Sequence, residues 1–358
     1  MHDEAAPQKT AIAGDMNVPR CATGPLKPAL AGLSRPWLVA DIGGTNARFG
    51  WLAAGADEVG HVLSVRGSDF TGPVAAAKAY LARLSAKLGP AFEPPRAGAW
   101  AVATAVGGDR VEMTNSGWAL SRREACAELA LDELLILNDF EALALSLPRL
   151  KPTQTRPVGP SITPAPGSAL AVIGPGTGLG VAGIVPTPRG WVAVPGEGGH
   201  STLAPTDDTE TALLAMVRRT HAHVSAERLL SGIGMPVLHG AVAALAGQAA
   251  TALSASEIVE RGLTGNDELC SRTLDHFCAL LGSFAGNTAL LLGARGGVYI
   301  GGGIVPRLGQ RFFESRFREC FEAKGRFRTY LQAIPTALIT DTLAALTGAA
   351  LALEQHSS

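Results

Sequence analysis

Twice in this chain a pair of short apolar runs is joined by a glycine-rich turn that carries threonine in the same place. The first unit is apolar at residues 37–40, turns through Asp41-Ile42-Gly43-Gly44-Thr45, and is apolar again at 49–53. The second is apolar at 169–173, turns through Gly174-Pro175-Gly176-Thr177-Gly178, and resumes at 181–185. Apolar runs of this length about a Gly-rich turn predict β-hairpins. An offset of 132 residues lays Gly43 on Pro175, Gly44 on Gly176 and Thr45 on Thr177. That faint duplication suggests two domains built on one plan, and 358 residues leave room for two at about 100–200 residues each.

Composition narrows the classes. Apolar residues at 47% and charged residues at 17% exclude a wholly disordered chain. Thirty basic against 31 acidic side chains give a net charge of −1, so the basic surplus of a nucleic-acid binder is missing. The five cysteines (Cys21, Cys126, Cys270, Cys278, Cys320) form no C-x-x-C pair and are odd in number. They predict buried, reduced thiols rather than a disulfide framework or a zinc site. The first 35 residues bring Asp, Glu, Lys and Pro early and lack an apolar core, which predicts a flexible extension and not a signal peptide. No apolar stretch reaches the ~18 residues of a membrane span. The Ala-rich run 241–255 is broken by Gly247, Gln248, Thr251 and Ser254 and reads as a buried helix.

Along the chain, residues 74–88 have helical spacing, with Val74, Ala77, Leu81, Leu84 and Leu88 on one face. Residues 97–106 read as a strand that ends in a hairpin turn at Gly107-Gly108-Asp109. A helix over 122–131, a strand over 134–137 and a helix over 140–147 follow. Residues 148–167 hold six prolines and read as a domain boundary or long surface loop. Helices are expected over 209–217, 225–230, 236–253, 268–292 and 342–353. A strand at 298–300 meets a third turn, Gly301-Gly302-Gly303.

Glycines let backbone N–H groups surround phosphate oxygens, because no Cβ intervenes. Hairpins use glycine anyway, but three such turns, two with Thr in the same place, strengthen the phosphate reading. None fits the G-x-x-x-x-G-K-[ST] or G-x-G-x-x-G pattern. Asp41 ends an apolar run, where a carboxylate either caps the turn or holds the water shell of a Mg²⁺ ion. Asp139 stands at a strand-to-helix junction beside Asn138, as a helix N-cap or as a general base. Pro195-Gly196-Glu197-Gly198-Gly199-His200 puts an acid and an imidazole on a flexible loop. Glu227 is either an ordinary helix glutamate or, with these, a ligand for sugar hydroxyls. His200 lacks partners for zinc.

Seven motifs in fixed order then carry a resemblance. They are L-V-A-D-I-G-G-T-N-A-R-F at 38–49, M-T-N-S-G-W at 113–118, L-N-D-F-E-A at 137–142, G-P-G-T-G-L-G at 174–180, P-G-E-G-G-H at 195–200, H-V-S-A-E-R at 223–228 and G-G-G-I-V-P-R at 301–307. Over residues 37–353 the chain resembles the bacterial glucokinases, hexokinase-related members of the actin-like ATPase and sugar-kinase superfamily. The resemblance implies an α/β, two-domain actin-like (ribonuclease H-like) fold with a cleft between domains. A small domain would take residues 36–149 plus 340–358, and a large one residues 150–339. The implied activity is ATP-dependent phosphorylation of D-glucose to glucose 6-phosphate in glycolysis, with Mg²⁺, in a cytoplasmic homodimer without membrane or nucleic-acid partners.

Residue by residue, Asp41, Gly43, Gly44, Thr45 and Asn46 match the first phosphate loop, with Asp41 near Mg²⁺ through water. Gly176, Thr177 and Gly178 match the second loop, and Gly301 and Gly302 the turn against the adenosine. Asn115, Asn138, Asp139, Glu197, His200 and Glu227 match the sugar site, with Asp139 as catalytic base. Two departures are visible: the long N-terminal extension, and Asp341-Thr342-Leu343-Ala344-Ala345-Leu346-Thr347-Gly348 where the family often has D-N-P-G-L-x-G. The alternatives are a kinase for another hexose, or a sugar-binding regulator without catalysis. The repressor-related kinases usually carry a cysteine cluster after the E-x-G-H motif, but no cysteine lies between Cys126 and Cys270. A regulator would need a DNA-reading helix-turn-helix, which the Pro/Gly-interrupted, non-basic N-terminus does not supply.

Overall fold

The computed structural model describes residues 35–104, 106–113, 117–188 and 190–356. Asn115 and the N-terminal extension through residue 34 lie outside them. The first half runs β1 (Trp37–Ile42), β2 (Asn46–Leu52), β3 (Gly60–Arg66), α1 (Pro73–Leu88), β4 (Ala97–Val102), β5 (Arg110–Glu112), β6 (Ala119–Ser121), α2 (Arg122–Leu129), β7 (Glu133–Asn138) and α3 (Asp139–Ser146). Its sheet has the order β3-β2-β1-β4-β7. The first three strands are antiparallel neighbours, and β1, β4 and β7 run parallel.

The second half runs β8 (Thr155–Pro157), β9 (Leu170–Pro175), β10 (Leu179–Thr187), β11 (Gly190–Gly196), α4 (Asp208–Arg218), α5 (Met235–Leu245), α6 (Ala255–Thr264), α7 (Glu268–Leu292), β12 (Gly297–Ile300), α8 (Val305–Leu308), α9 (Gln310–Glu314), α10 (Phe317–Glu322), α11 (Arg328–Gln332), β13 (Thr336–Ile339) and α12 (Ala344–His356). Its sheet has the order β11-β10-β9-β12-β13-β8. The first five strands repeat the order and directions of the first sheet. The duplicated turn pattern therefore corresponds to a duplicated sheet.

Helices α3 and α12 share one apolar cluster with both sheets: Val39, Ala101 and Leu137 from the first, Val172, Ala182 and Ile184 from the second, and Leu145, Leu346, Ala350 and Leu353 from the helices. Burying each Leu or Ile side chain stabilises the layer by about 1.5–3 kcal/mol. The far face of the first sheet packs on α1 and α2 around Phe49, Tyr80 and Trp100. The far face of the second packs on the long α7 and its neighbours around Leu213, Phe277 and Phe321. No described helix is long and apolar enough to cross a membrane. Of the described cysteines, Cys270, Cys278 and Cys320 are buried free thiols and Cys126 is half-buried.

Several sequence expectations are corrected. Strand β4 stops at Val102 rather than 106, and the turn before Arg110 leads into the β5–β6 ribbon, not back along β4. The proline-rich stretch 148–167 includes β8, an edge strand, the position where proline costs no ladder hydrogen bond. Residues 236–253 are not one helix. Helix α5 ends at Leu245, and Gly247 (φ +69°) turns the chain in the left-handed region. Helix α6 then begins with a Ser254/Glu257 capping box. Residues 225–230 are turns rather than a helix, because Ser225 bridges Thr202 and the Glu227 N–H donates to the Gly199 carbonyl at 2.9 Å. On α1 the buried side chains include Ala76, Ala77, Tyr80 and Leu84, while Val74, Leu81 and Leu88 are half-buried.

Candidate active site

The parallel strands of the first sheet end in register at Ile42, Val102 and Asn138. Sites of α/β sheets form beyond such ends. Asp41 lies one residue before this row and Asp139 one after it. Across the β1–β2 pair, Asp41 faces Arg48, whose Nη1 donates to its Oδ2 at 3.1 Å. Burial still pushes the Asp41 carboxyl above its ordinary range, against the pull of Arg48.

Asn138 answers the question of the cap. Its Oδ1 accepts the N–H groups of Phe140 at 2.9 Å and Glu141 at 3.3 Å, and its Nδ2 donates to the Thr104 carbonyl at 3.2 Å. Asn138 is thus the N-cap of α3 and ties it to the loop after β4. Asp139 takes one shared contact, from the Phe140 N–H at 3.0 Å. Its second oxygen is not needed for the helix. The Asp139 carboxyl is pushed up to about 7, first by burial, then by the charge of Asp41, with a smaller push from Glu197. The N–H groups of the helix start oppose this and lose.

The second sheet meets the same region through β9 and β10. The Gly176 N–H donates to the Gly178 carbonyl at 2.8 Å, and the Gly176 carbonyl accepts the Gly232 N–H at 2.8 Å. A Cβ on Gly176 would meet nothing, so there is room beside the turn, while the N–H and carbonyl of Gly176 itself are spent in holding its shape. Gly178 is different: a Cβ there would fall on the Glu227 carboxylate. Glu227 Oε2 accepts the Leu179 N–H at 2.8 Å, and Oε1 lies 4.0 Å from His200 Nδ1. His200 Nε2 lies 4.0 Å from Glu197 Oε2, and both of these side chains are exposed. Glu227, His200 and Glu197 therefore form one acid–imidazole–acid group on two loops stitched by backbone bonds, with Glu197 close enough to raise Asp139.

The third turn joins the second. The Gly301 N–H donates to the Ile173 carbonyl at 2.7 Å and the Ile304 N–H to the Pro175 carbonyl at 3.1 Å. Gly302 (φ +77°) sits where any Cβ would strike the Pro175 carbonyl. The first turn is held by Gly43 N–H to the Asn46 carbonyl at 3.0 Å and Gly67 N–H to the Thr45 carbonyl at 2.9 Å. Thr45 and Asn46 are exposed at the tip.

The expected residues among those described thus fall into two joined groups, the acids Asp41 and Asp139 and the Glu197–His200–Glu227 set, bordered by the glycine turns. Sequence reasoning missed Arg48, whose signal is its strand position opposite Asp41. It also missed Phe140, whose signal is the pair of glycines, Gly174 and Gly180, on either side of the second turn.

Among the described residues no three His, Cys, Asp or Glu side chains are grouped to hold a metal. The donors at hand are the hard carboxylate oxygens of Asp41 and Asp139, against one cation, Arg48. That set suits Mg²⁺, which keeps several waters and takes one or two carboxylates beside substrate phosphates.

Known proteins give the family. A family profile described as Glucokinase matches residues 38–356. The chain is 46% identical over 319 residues to a glucokinase of Paramagnetospirillum magneticum, covering 89% of this chain and 97% of that one. It is 45% identical over 327 residues to a glucokinase of Chromobacterium violaceum, covering 91% and 92%. The crystal structure of a glucokinase from an Antarctic psychrotroph superposes with a TM-score of 0.81 at 38% identity, covering 90% of this chain and 99% of that one.

Proposed function

The chain belongs to the glucokinase family, and from that premise we propose that it transfers the γ-phosphoryl group of ATP to the 6-hydroxyl of D-glucose, with Asp139 as general base. The observation that carries the assignment is the Asp139 carboxyl. It shares only the Phe140 N–H with the Asn138 cap and is raised by burial and by Asp41 to about 7, the range in which a base both accepts a proton and is ionised near neutral pH.

In the proposed reaction the C6 hydroxyl gives its proton to the Asp139 carboxylate as its oxygen bonds to the γ-phosphorus. The bond from that phosphorus to the β–γ bridging oxygen breaks, and ADP leaves. Glu197, His200, Glu227 and Asn138 hold the other hydroxyls, so that one oxygen faces the phosphorus. Asn138 can do so with its second Nδ2 N–H, since the cap spends both Oδ1 lone pairs and the other N–H goes to the Thr104 carbonyl. The turns at 43–45, 176–178 and 301–302 would hold the nucleotide. Asp41, with Asp139 beside it, would hold Mg²⁺ through water, and the ion supplies charge neutralisation on the phosphates when bound.

The finer fold reading is a two-domain, actin-like arrangement with a cleft and a small domain of 36–149 plus 340–358. The repeated strand order supports it, as does the burial of α12 with both α3 and the first sheet. A cytoplasmic homodimer is carried from the family.

The test is ADP release with ATP, Mg²⁺ and a panel of hexoses, on wild type and Asp139→Ala. Glucose-dependent release that the variant loses supports the reading. No release with any hexose, together with clear sugar binding by calorimetry, overturns it in favour of another donor or a non-catalytic sugar sensor.

A further inference from the structure

We propose that Phe140 is a positioning residue for phosphoryl transfer: its ring, seated in a dish formed by Gly174 and Gly180, sets the spacing between the Asp139 carboxylate and the turn at residues 176–178. The inference rests on Asp139 being the base.

Gly174 and Gly180 are register partners across the β9–β10 hairpin, on either side of the second turn. A Cβ on Gly174 would lie 2.5 Å from Phe140 Cζ, and one on Gly180 would collide with the Cδ2–Cε2 edge of the ring. Neither glycine has a positive φ. Their backbone conformation therefore does not call for glycine, and the ring does. One helical turn later, Leu143 lies against Gly301 in the same way, with 2.8 Å between its Cδ2 and a built Cβ. Residues i and i+3 share a helix face, so one face of α3 is keyed into the glycines of both turns on the second sheet. From another side, the Ala142 carbonyl abuts Gly348 of α12. Helix α3 cannot slide along the hairpin without lifting the ring out of its dish.

Asp139 is the residue immediately before that ring, and Gly176 lies two residues after Gly174. The contact therefore links the residue next to the base with the hairpin that carries the second turn. In-line transfer is sensitive to such spacing: a displacement of about 1 Å can cost on the order of 10²-fold in rate. A ring that only filled a core would, when trimmed, lower stability and leave the turnover of the folded enzyme unchanged.

The experiment compares wild type, Phe140→Leu, Phe140→Ala, Gly180→Ala and the double variant Gly180→Ala/Phe140→Ala. For each, kcat is measured by ADP release, glucose Kd by calorimetry and the folded fraction by circular dichroism. Expected are a kcat lower by roughly 30-fold in Phe140→Ala and in Gly180→Ala, a smaller loss of about tenfold in Phe140→Leu, and glucose Kd within about threefold throughout. The double variant should lose little beyond either single one, because the two changes destroy the same contact. A kcat within about threefold of wild type in folded Phe140→Leu, or losses that simply multiply in the double variant, overturn the proposal. Absence of glucose-dependent turnover in wild type overturns the functional reading and this one together. An active wild type, silent Asp139→Ala and fully active Phe140 variants overturn the positioning role alone.

Discussion

The backbone N–H of Leu179 donates to Glu227 Oε2 at 2.8 Å. The strand that leaves the second glycine turn thus fixes a carboxylate that also approaches His200. One residue earlier, Gly178 leaves the space which that carboxylate fills. The turn proposed to hold the nucleotide and the group proposed to hold the sugar are parts of one hydrogen-bonded unit.

Replacing Glu227 by Gln keeps the acceptor for Leu179 and removes the charge. The KM for glucose should rise about tenfold or more, the range of a lost charge-assisted hydrogen bond, with a smaller change for ATP. Gly178→Ala should reproduce this pattern by displacing the same carboxylate. Steady-state kinetics in both substrates checks it, and equal effects on the two would leave Glu227 a structural role only.

Asp139→Ala should lower kcat by 10²–10⁴-fold or more, the usual worth of general-base catalysis. Glucose affinity by calorimetry should stay within about threefold. Turnover within about tenfold of wild type would remove the base assignment.

The pH dependence follows from the raised Asp139 carboxyl. Only the ionised form accepts a proton, so kcat/KM should climb with pH through an acid limb near 7 and flatten above it. In the metal-free, substrate-free protein the same shift acts on stability. The folded value lies above the ordinary 3.8, so the stabilisation is fully present below about 4 and is lost as pH rises through 7. Asp139→Asn should therefore raise Tm relative to wild type more at pH 8 than at pH 5. An equal difference at both values would mean that the carboxyl is not perturbed.

Gly348→Val should destabilise the fold at a point away from the groups proposed to bind sugar and nucleotide. Its Cβ would strike the Ala142 carbonyl where α3 and α12 cross, and overpacking of this kind costs about 1–3 kcal/mol or more. A lowered midpoint in urea, with KM for both substrates unchanged in the remaining folded enzyme, is the expected result.

Much of the architecture was readable where local pattern and tertiary need agree. The hairpin about Gly43 and Gly44, the β7–α3 junction and the α7 helix all carry their own apolar spacing and punctuation. Strands β8 and β13 did not, since three or four residues beside prolines hold too little periodicity to register. Residues 225–230 misled because an isolated Glu-Arg-Leu-Leu run favours a helix, whereas its backbone is spent on residues 199–202. At the site, Asp41 and Asp139 stood out by ending apolar runs. The division of labour between Asn138 and Asp139 did not, because both residue types cap helices and only geometry shows which oxygen does so. Phe140 reads as core in any sequence, and its partners are glycines, which leave no apolar signal.

Helix α12 follows every proposed site residue in the sequence, and its buried face of Leu346, Ala349, Ala350 and Leu353 lies in the cluster shared with α3 and both sheets. During synthesis every residue assigned to sugar or nucleotide leaves the ribosome before this helix does. Until its 13 residues emerge, the nascent protein carries all the side chains proposed for the site on an unsealed apolar layer. A stop codon just before Ala344 would thus yield a product for chaperones and proteases rather than an enzyme.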